Sequence, residues 1–314
     1  MPKSKRRYKN KKSDRKIIVI ASDLHAGHIL GLMNPETKLT QQIVDKKTGK
    51  SKQIFKEHEL SEFQAYLWNT IWTPGIKEVK ELAEGFPVAL IVNGDITQGQ
   101  KHPEQLVTTS TANQFLIASG VVEPWIESIP SLEMVRFSYG TASHIFNEGT
   151  SPIIVSQLLT PKYPKVDIGV VHHGYLEVAG QTIDYAHHGP SQGIREWTKG
   201  NQLRYYLKSI MSGAYKNGVR PPDIVIRSHY HYPHREIVSD FIQGENGQPE
   251  TIESRIYLTP SMCGLNDYGQ QATKSTPMIY NGFFVFEIED GRIVNDHLDD
   301  FVWALDLRTK EVWE

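Results

Sequence analysis

Residues 17–25 read Ile17-Ile18-Val19-Ile20-Ala21-Ser22-Asp23-Leu24-His25. Five apolar residues, mostly β-branched, run without a polar break, as in a strand covered on both faces. Asp23 and His25 follow directly. Ligands of open α/β sheets gather at the carboxyl ends of strands. This one stretch therefore bears on both the fold class and the site.

Four further runs repeat the arrangement. The run 87–92 leads to Gly94-Asp95, and 134–139 leads to His144. The run 182–186 leads to His187-His188, and 223–227 leads to His229-Tyr230-His231. Between them, periodicity predicts helices over 57–72, 77–83, 103–119, 121–128, 151–159 and 201–217. Pro74-Gly75 is expected to break the chain between the first two. Residues 33–55 are polar and read as a surface insertion, with a hairpin turning at Thr48-Gly49. The later runs 236–242, 255–259, 283–288 and 292–298 are strand-like, with Asp290-Gly291 as a hairpin turn. The chain thus begins as β-α-β and ends largely antiparallel, with no internal repeat.

Of 314 residues, 39% are hydrophobic and 22% charged, which fits a soluble globular protein with a sizeable core. The single cysteine, Cys263, excludes an internal disulfide and is compatible with a reducing, cytoplasmic setting. No apolar run approaches the ~20 residues of a membrane helix, so no membrane partner is expected. The net charge of −2 hides an asymmetry: residues 1–16 hold nine Lys/Arg and one acid, leaving −10 for the rest. Such a tail is a solvated segment, or an arm that holds nucleic-acid phosphates. The acidic body argues against a broad nucleic-acid groove.

Asp23 and His25 stand two apart, a spacing that points both side chains one way in an extended segment. His229 and His231 repeat it. Gly94 allows a sharp turn before Asp95. Mixed carboxylate and imidazole groups suit Mn, Fe or Zn better than Ca. Two such ions ~3.5–4 Å apart can clamp a phosphate and activate a water. Each motif alone is weak, and the ordered series carries the argument.

Taken together, these residues resemble the calcineurin-like metallophosphoesterases. That pattern runs Asp-x-His, Gly-Asp, Gly-Asn-His, a lone His, then Gly-His-x-His. Here it stands as Asp23-Leu24-His25, Gly94-Asp95, Gly140-Thr141-Ala142-Ser143-His144, His187 and Ser228-His229-Tyr230-His231. The resemblance covers residues 17–300, leaving 1–16 as a basic tail and 301–314 as a C-terminal extension. It implies a four-layer α/β/β/α sandwich of two mixed sheets flanked by helices. It also implies two divalent ions, Mn before Fe or Zn, and hydrolysis of phosphate esters by metal-activated hydroxide. One ion would be held by Asp23, His25, Asp95 and His231. The other would be held by Asp95, His187 and His229, with Asp95 bridging.

The third motif departs from the family. Its asparagine is missing, Thr141 stands beside Gly140 near that place, and His144 is the expected general acid. The Gly-Thr-x-x-His form is similar to a branch found in phages and mobile elements. Ser228 replaces a glycine, which a negative φ would tolerate. His187 is preferred over His188, while His172-His173 is assigned to a hairpin strand or its turn. Arg195 and Trp197 read either as substrate contacts or as a surface charge and a core aromatic, and His28, His234 and Asn93 either as residues that orient ligands or as polar loop residues. The alternative is the same fold acting as a binding module with little catalysis.

Overall fold

The computed structural model describes residues 13–309 and 311, apart from 46, 148, 194, 244–247, 274 and 275. β1 (Arg15–Ala21), β2 (Leu39–Val44) and β3 (Ser51–Lys56) come first. Helices α1 (Glu62–Tyr66) and α2 (Thr73–Ala83) follow, joined by a wider π-helical turn over Leu67–Trp72. β4 (Val88–Asn93), α3 (Thr111–Ser128), β5 (Leu132–Ser138), α4 (Thr150–Lys162) and β6 (Asp167–Val171) then alternate. β7 (Gly174–Val178), β8 (Gln181–Tyr185), α5 (Asn201–Lys216) and β9 (Ile224–Arg227) lead into the hairpin β10 (His234–Gln243) and β11 (Pro249–Leu258). The chain closes with α6 (Asp267–Ala272), β12 (Met278–Gly282), β13 (Phe284–Glu289), β14 (Arg292–Asn295) and β15 (Val302–Asp306).

This is a mixed α/β fold. One sheet has the order β14-β13-β1-β4-β5-β6, and a second the order β10-β11-β9-β8-β7. β1, β4, β5 and β6 are parallel, and β13 runs against β1. In the second sheet β8, β9 and β11 are parallel, with antiparallel β7 and β10 at the edges. β1 is buried on both faces, as its sequence predicts. Ile17, Val19 and Ala21 join a core with Trp72, Val121 and Trp125 from the helices. Ile18 and Ile20 join another core with Ile183, Ile224 and Tyr257 of the second sheet. Leu203, Leu207 and Met211 of α5 pack on Val225, Ile252 and Ile256. Among the described residues no helix is long and apolar enough to cross a membrane.

Several expectations change. Pro74-Gly75 does not break the helix. Pro74 is in the first turn of α2, directly after the π turn. The π turn passes the chain on, with the Thr73 amide bonded to the Trp68 carbonyl. Gly75 is a packing site, since a Cβ there would stand 2.5 Å from the Phe283 ring. The expected helices over 103–119 and 121–128 are one helix, α3, preceded by a short 3-10 turn at Pro103–Gln105. His172-His173 occupies a bend, yet not a hairpin, because β6 and β7 lie in different sheets.

The ends also shift. Residues 1–12 of the basic tail lie outside the described residues, but Arg15 and Lys16 belong to β1. Arg15 pairs with Glu287 and Glu84 across the fold. At the other end, Phe301 stacks on Phe283 in the core, and β15 pairs with β12. Much of 301–314 is therefore part of the domain.

Candidate metal centre

The five strand ends are tied together at Asn93, the last residue of β4 and fully buried. Its carbonyl accepts Ser22 Oγ and His187 Nδ1, both at 2.8 Å. Its amide donates to the Ala186 carbonyl at 2.9 Å and to Ser228 Oγ at 2.7 Å, and accepts Ser138 Oγ at 2.7 Å. One side chain and its carbonyl thus bond residues at the ends of β1, β5, β8 and β9. Sequence reading grouped Asn93 with His28 and His234 as ligand-orienting residues, and only Asn93 meets the site. His28 Nδ1 accepts the Leu30 amide, and His234 pairs with Glu236.

Past the strand ends the backbone turns left-handed. Asp23, His25, Asp95, His229 and His231 all have φ between 44° and 76°. Only eleven described non-glycine residues have positive φ, and five of them stand here. Each such residue costs about 1–3 kcal/mol, and such strain clusters at functional sites. The paired ligands therefore converge through left-handed turns, not through the extended alternation expected from their spacing. Ser228 keeps a negative φ, the condition its replacement of glycine required. Gly94 has φ +87°, and a Cβ there would stand 2.3 Å from His187 Nδ1. A Cβ at Gly140 would stand 2.1 Å from Asp95 Oδ1.

The side chains meet around two carboxylates. Asp23 Oδ1 lies 3.1 Å from His231 Nε2 and 3.9 Å from both His25 Nε2 and His187 Nε2. Asp95 Oδ2 lies 3.1 Å from His187 Nε2. Thr141 Oγ1 donates to Asp95 Oδ2 at 3.1 Å and lies 3.2 Å from His229 Nδ1. The Thr141 amide donates to Asp95 Oδ1 at 2.6 Å. Three groups have ligand atoms close enough for one cation: Asp23-His25-His231, Asp23-Asp95-His187 and His187-His188-His229. His187 and His188, weighed as alternatives, thus both belong to the cluster.

His144 stands at the rim. Its ring packs edge-on to His25 at 4.7 Å. Its Nδ1 lies 2.7 Å from the Gln98 carbonyl. A carbonyl only accepts, so Nδ1 carries the proton and Nε2 is left for a substrate. Arg195 and Trp197 are exposed, and neither lines the cavity of about 440 Å³ that opens beside His231. The cation there is Lys199, with Tyr230, Tyr232 and Met278.

Burial alone would raise the Asp23 carboxyl, but His231, His187 and His25 outweigh it and hold it far below the usual range. At Asp95, burial is overcome chiefly by His187, with the same result. Burial pulls the His187 imidazole down, yet Asp95 and Asp23 reverse this and raise it to about 9. Burial first, and His144 second, push His25 well below its ordinary value. Burial, then the His187 charge, also lower His188 and His229.

The donor set fits a cation. His187 Nδ1 faces a carbonyl and so carries the ring proton, leaving a lone pair on Nε2. That lone pair faces carboxylate oxygens and makes no hydrogen bond. Both ring nitrogens of His25 are also buried and without a hydrogen-bond partner. Buried polar atoms left unbonded are costly, and lone pairs that converge need a proton or a cation between them. No family model matches the chain, and a search of curated proteins finds no match either.

Proposed function

We propose that this chain is a phosphoesterase that uses two divalent cations, of the calcineurin-like metallophosphoesterase kind. Its two sheets, with helices on their outer faces, would form the four-layer α/β/β/α sandwich of that family. The observation that carries the reading is the buried convergence of Asp23 and Asp95 on unbonded nitrogens of His25 and His187. The set of Asp23, His25 and His231 would hold one cation. The set of Asp95, His187 and His229 would hold the other, with His188 beside it and Asp95 between the two. Such carboxylate and imidazole donors suit Mn, Fe or Zn, and the resemblance puts Mn first.

When bound, the cations would supply an activated water and neutralise charge developing on the phosphoryl oxygens. The protein's own part is positional. Asn93 fixes the His187 ring, and Thr141 fixes the Asp95 carboxylate. His144, when its ring carries a proton on both nitrogens, would give the one on Nε2 to the leaving oxygen as general acid. The cavity beside His231 would receive the organic part of the ester.

Cation analysis after loading with Mn, together with hydrolysis of a generic aryl phosphodiester, tests the reading. Two equivalents and turnover abolished by Asp95→Asn are expected. Thr141 follows Gly140 directly, as the asparagine does in the family, and its Oγ1 is already engaged by Asp95 and His229. Absence of bound cation after careful loading would therefore favour the binding module.

A further inference from the structure

The hairpin β2–β3 pairs with neither large sheet. Residues 38–56 carry six lysines and one acid, Asp45, whereas the chain beyond residue 16 is net −10. Asp45 is engaged in the turn, where its Oδ1 accepts the Lys47 and Thr48 amides at 2.7 and 3.2 Å. Lys38, Lys47, Lys50, Lys52 and Lys56 are exposed, and none pairs with an acid among the described residues. The ribbon is therefore an isolated block of positive charge on an acidic body.

Its two faces differ in chemistry. The register sets Gln41 opposite Ile54 and Ile43 opposite Lys52 on one face. Gln42 stands opposite Gln53, and Val44 opposite Ser51, on the other. Phe55 is 68% exposed, Val44 58% and Ile43 46%, so the fold covers neither face. A two-stranded ribbon alone is marginal in water, and a partner on either face would bury these groups.

The root of the ribbon is firm. Asn113 accepts the Thr40 amide and hydroxyl at 2.9 and 2.8 Å and donates to its carbonyl at 2.9 Å. The next residue, Gln114, holds both backbone groups of Gly99. The Gln98 carbonyl, one residue before, receives His144. The ribbon and the expected general acid thus hang from one frame.

We propose that β2–β3 is an arm that binds duplex DNA in its major groove, which deepens the phosphoesterase reading and rests on it. The B-form major groove is about 12 Å wide and admits a two-stranded ribbon. Six residues reach roughly 20 Å, so Gln42 and Gln53 on one face meet base edges, while the lysines of the turn and of the opposite face reach the flanking phosphates along their long stems. A-form RNA has a deep, narrow major groove that side chains do not read, so duplex RNA is the weaker ligand.

The test uses the full chain in EDTA and a labelled 20-base-pair DNA, with anisotropy read across a salt series. The variant Lys47→Ala/Lys50→Ala/Lys52→Ala/Lys56→Ala is compared with the unaltered protein. The slope of log affinity against log salt should become shallower by about 3–4, at ~0.9 per phosphate contact. Affinity at the lowest salt should fall at least tenfold. The pair Lys50→Ala/Lys52→Ala should give about half the slope change, and serves if the fourfold variant misfolds. Equal slopes and affinities in all proteins overturn the arm, as does duplex RNA bound as tightly as DNA. Small-diester hydrolysis by the unaltered protein is read separately. Its absence overturns the phosphoesterase, while the slopes in EDTA still decide the arm.

Discussion

The main-chain carbonyl of Asn93 lies 2.8 Å from His187 Nδ1, which fixes the tautomer of a histidine that arrives from the other sheet. The Asn93 side chain bonds Ala186, Ser138 and Ser228 around the same point. Asn93→Ala should therefore leave the Ala186 carbonyl and Ser138 Oγ unpaired, and Ser228 Oγ with Thr259 alone. Losses of this kind run to about 1–3 kcal/mol each where no water enters. We expect about 3 kcal/mol in urea unfolding, and weaker Mn binding in the folded variant. A variant as stable as the original would remove Asn93 from this role.

Gly94 combines a φ of +87° with a Cβ position 2.3 Å from His187 Nδ1. Gly94→Ala cannot keep both the backbone and the ring in place. It should destabilise the fold by about 2 kcal/mol or more and lower Mn stoichiometry below two. Unchanged stoichiometry in a folded Gly94→Ala protein would contradict the packing argument.

His144 acts on the leaving oxygen in the proposed reaction, so its effect should scale with the leaving group. For an alkyl ester, His144→Ala should lower kcat by about 10²–10⁴, the usual range for a general acid. For a nitrophenyl ester, which leaves without a proton, the loss should be under about tenfold. Equal losses on both esters, with Mn content intact, would remove His144 from proton transfer.

His187 gives a pH dependence with a definite sign. Its imidazole is raised from 6.5 to about 9 in the cation-free protein. A raised value means that its contribution is complete below pH 6.5 and is lost as pH climbs through 9. His25, His188 and His229 are lowered and act oppositely, losing stability as pH falls below 6.5. The difference in urea midpoint between the original and His187→Asn isolates the first effect. In EDTA that difference should shrink between pH 6.5 and 9. Mn affinity should rise over the same interval, because the cation displaces a proton that is by then leaving.

Much of the fold is legible in particular residues. Ile17 to Ala21 reads as a doubly covered strand because burial on both faces leaves no polar alternation. Asp290-Gly291 reads as a hairpin because its positive φ values suit a turn between antiparallel strands. The site residues are legible as a set, since five strand ends carry them. The manner of their convergence is not, because Asp23, His25, His229 and His231 take a backbone that L-residues avoid. Only bonds from distant strands hold it, and spacing cannot report those. Pro74-Gly75 misleads for a similar reason: a π turn before it and the Phe283 ring beside it are tertiary facts. The domain ends are hidden because Arg15 finds its partners at Glu84 and Glu287. His188 stands beside His187 in the sequence, where a doublet reads as a choice, and the fold brings both rings to one cluster with His229.

The five left-handed residues set folding against chemistry at the same positions. Glycine would suit the backbone better at 23, 25, 95, 229 and 231. At 25 it would also remove two buried ring nitrogens that lack partners. Screened for thermal resistance alone, without a cation, a population of variants should therefore drift toward glycine there. The surviving proteins would be sturdier and, in the proposed reaction, inactive. Asp and His persist at these positions only under a demand that folding does not make.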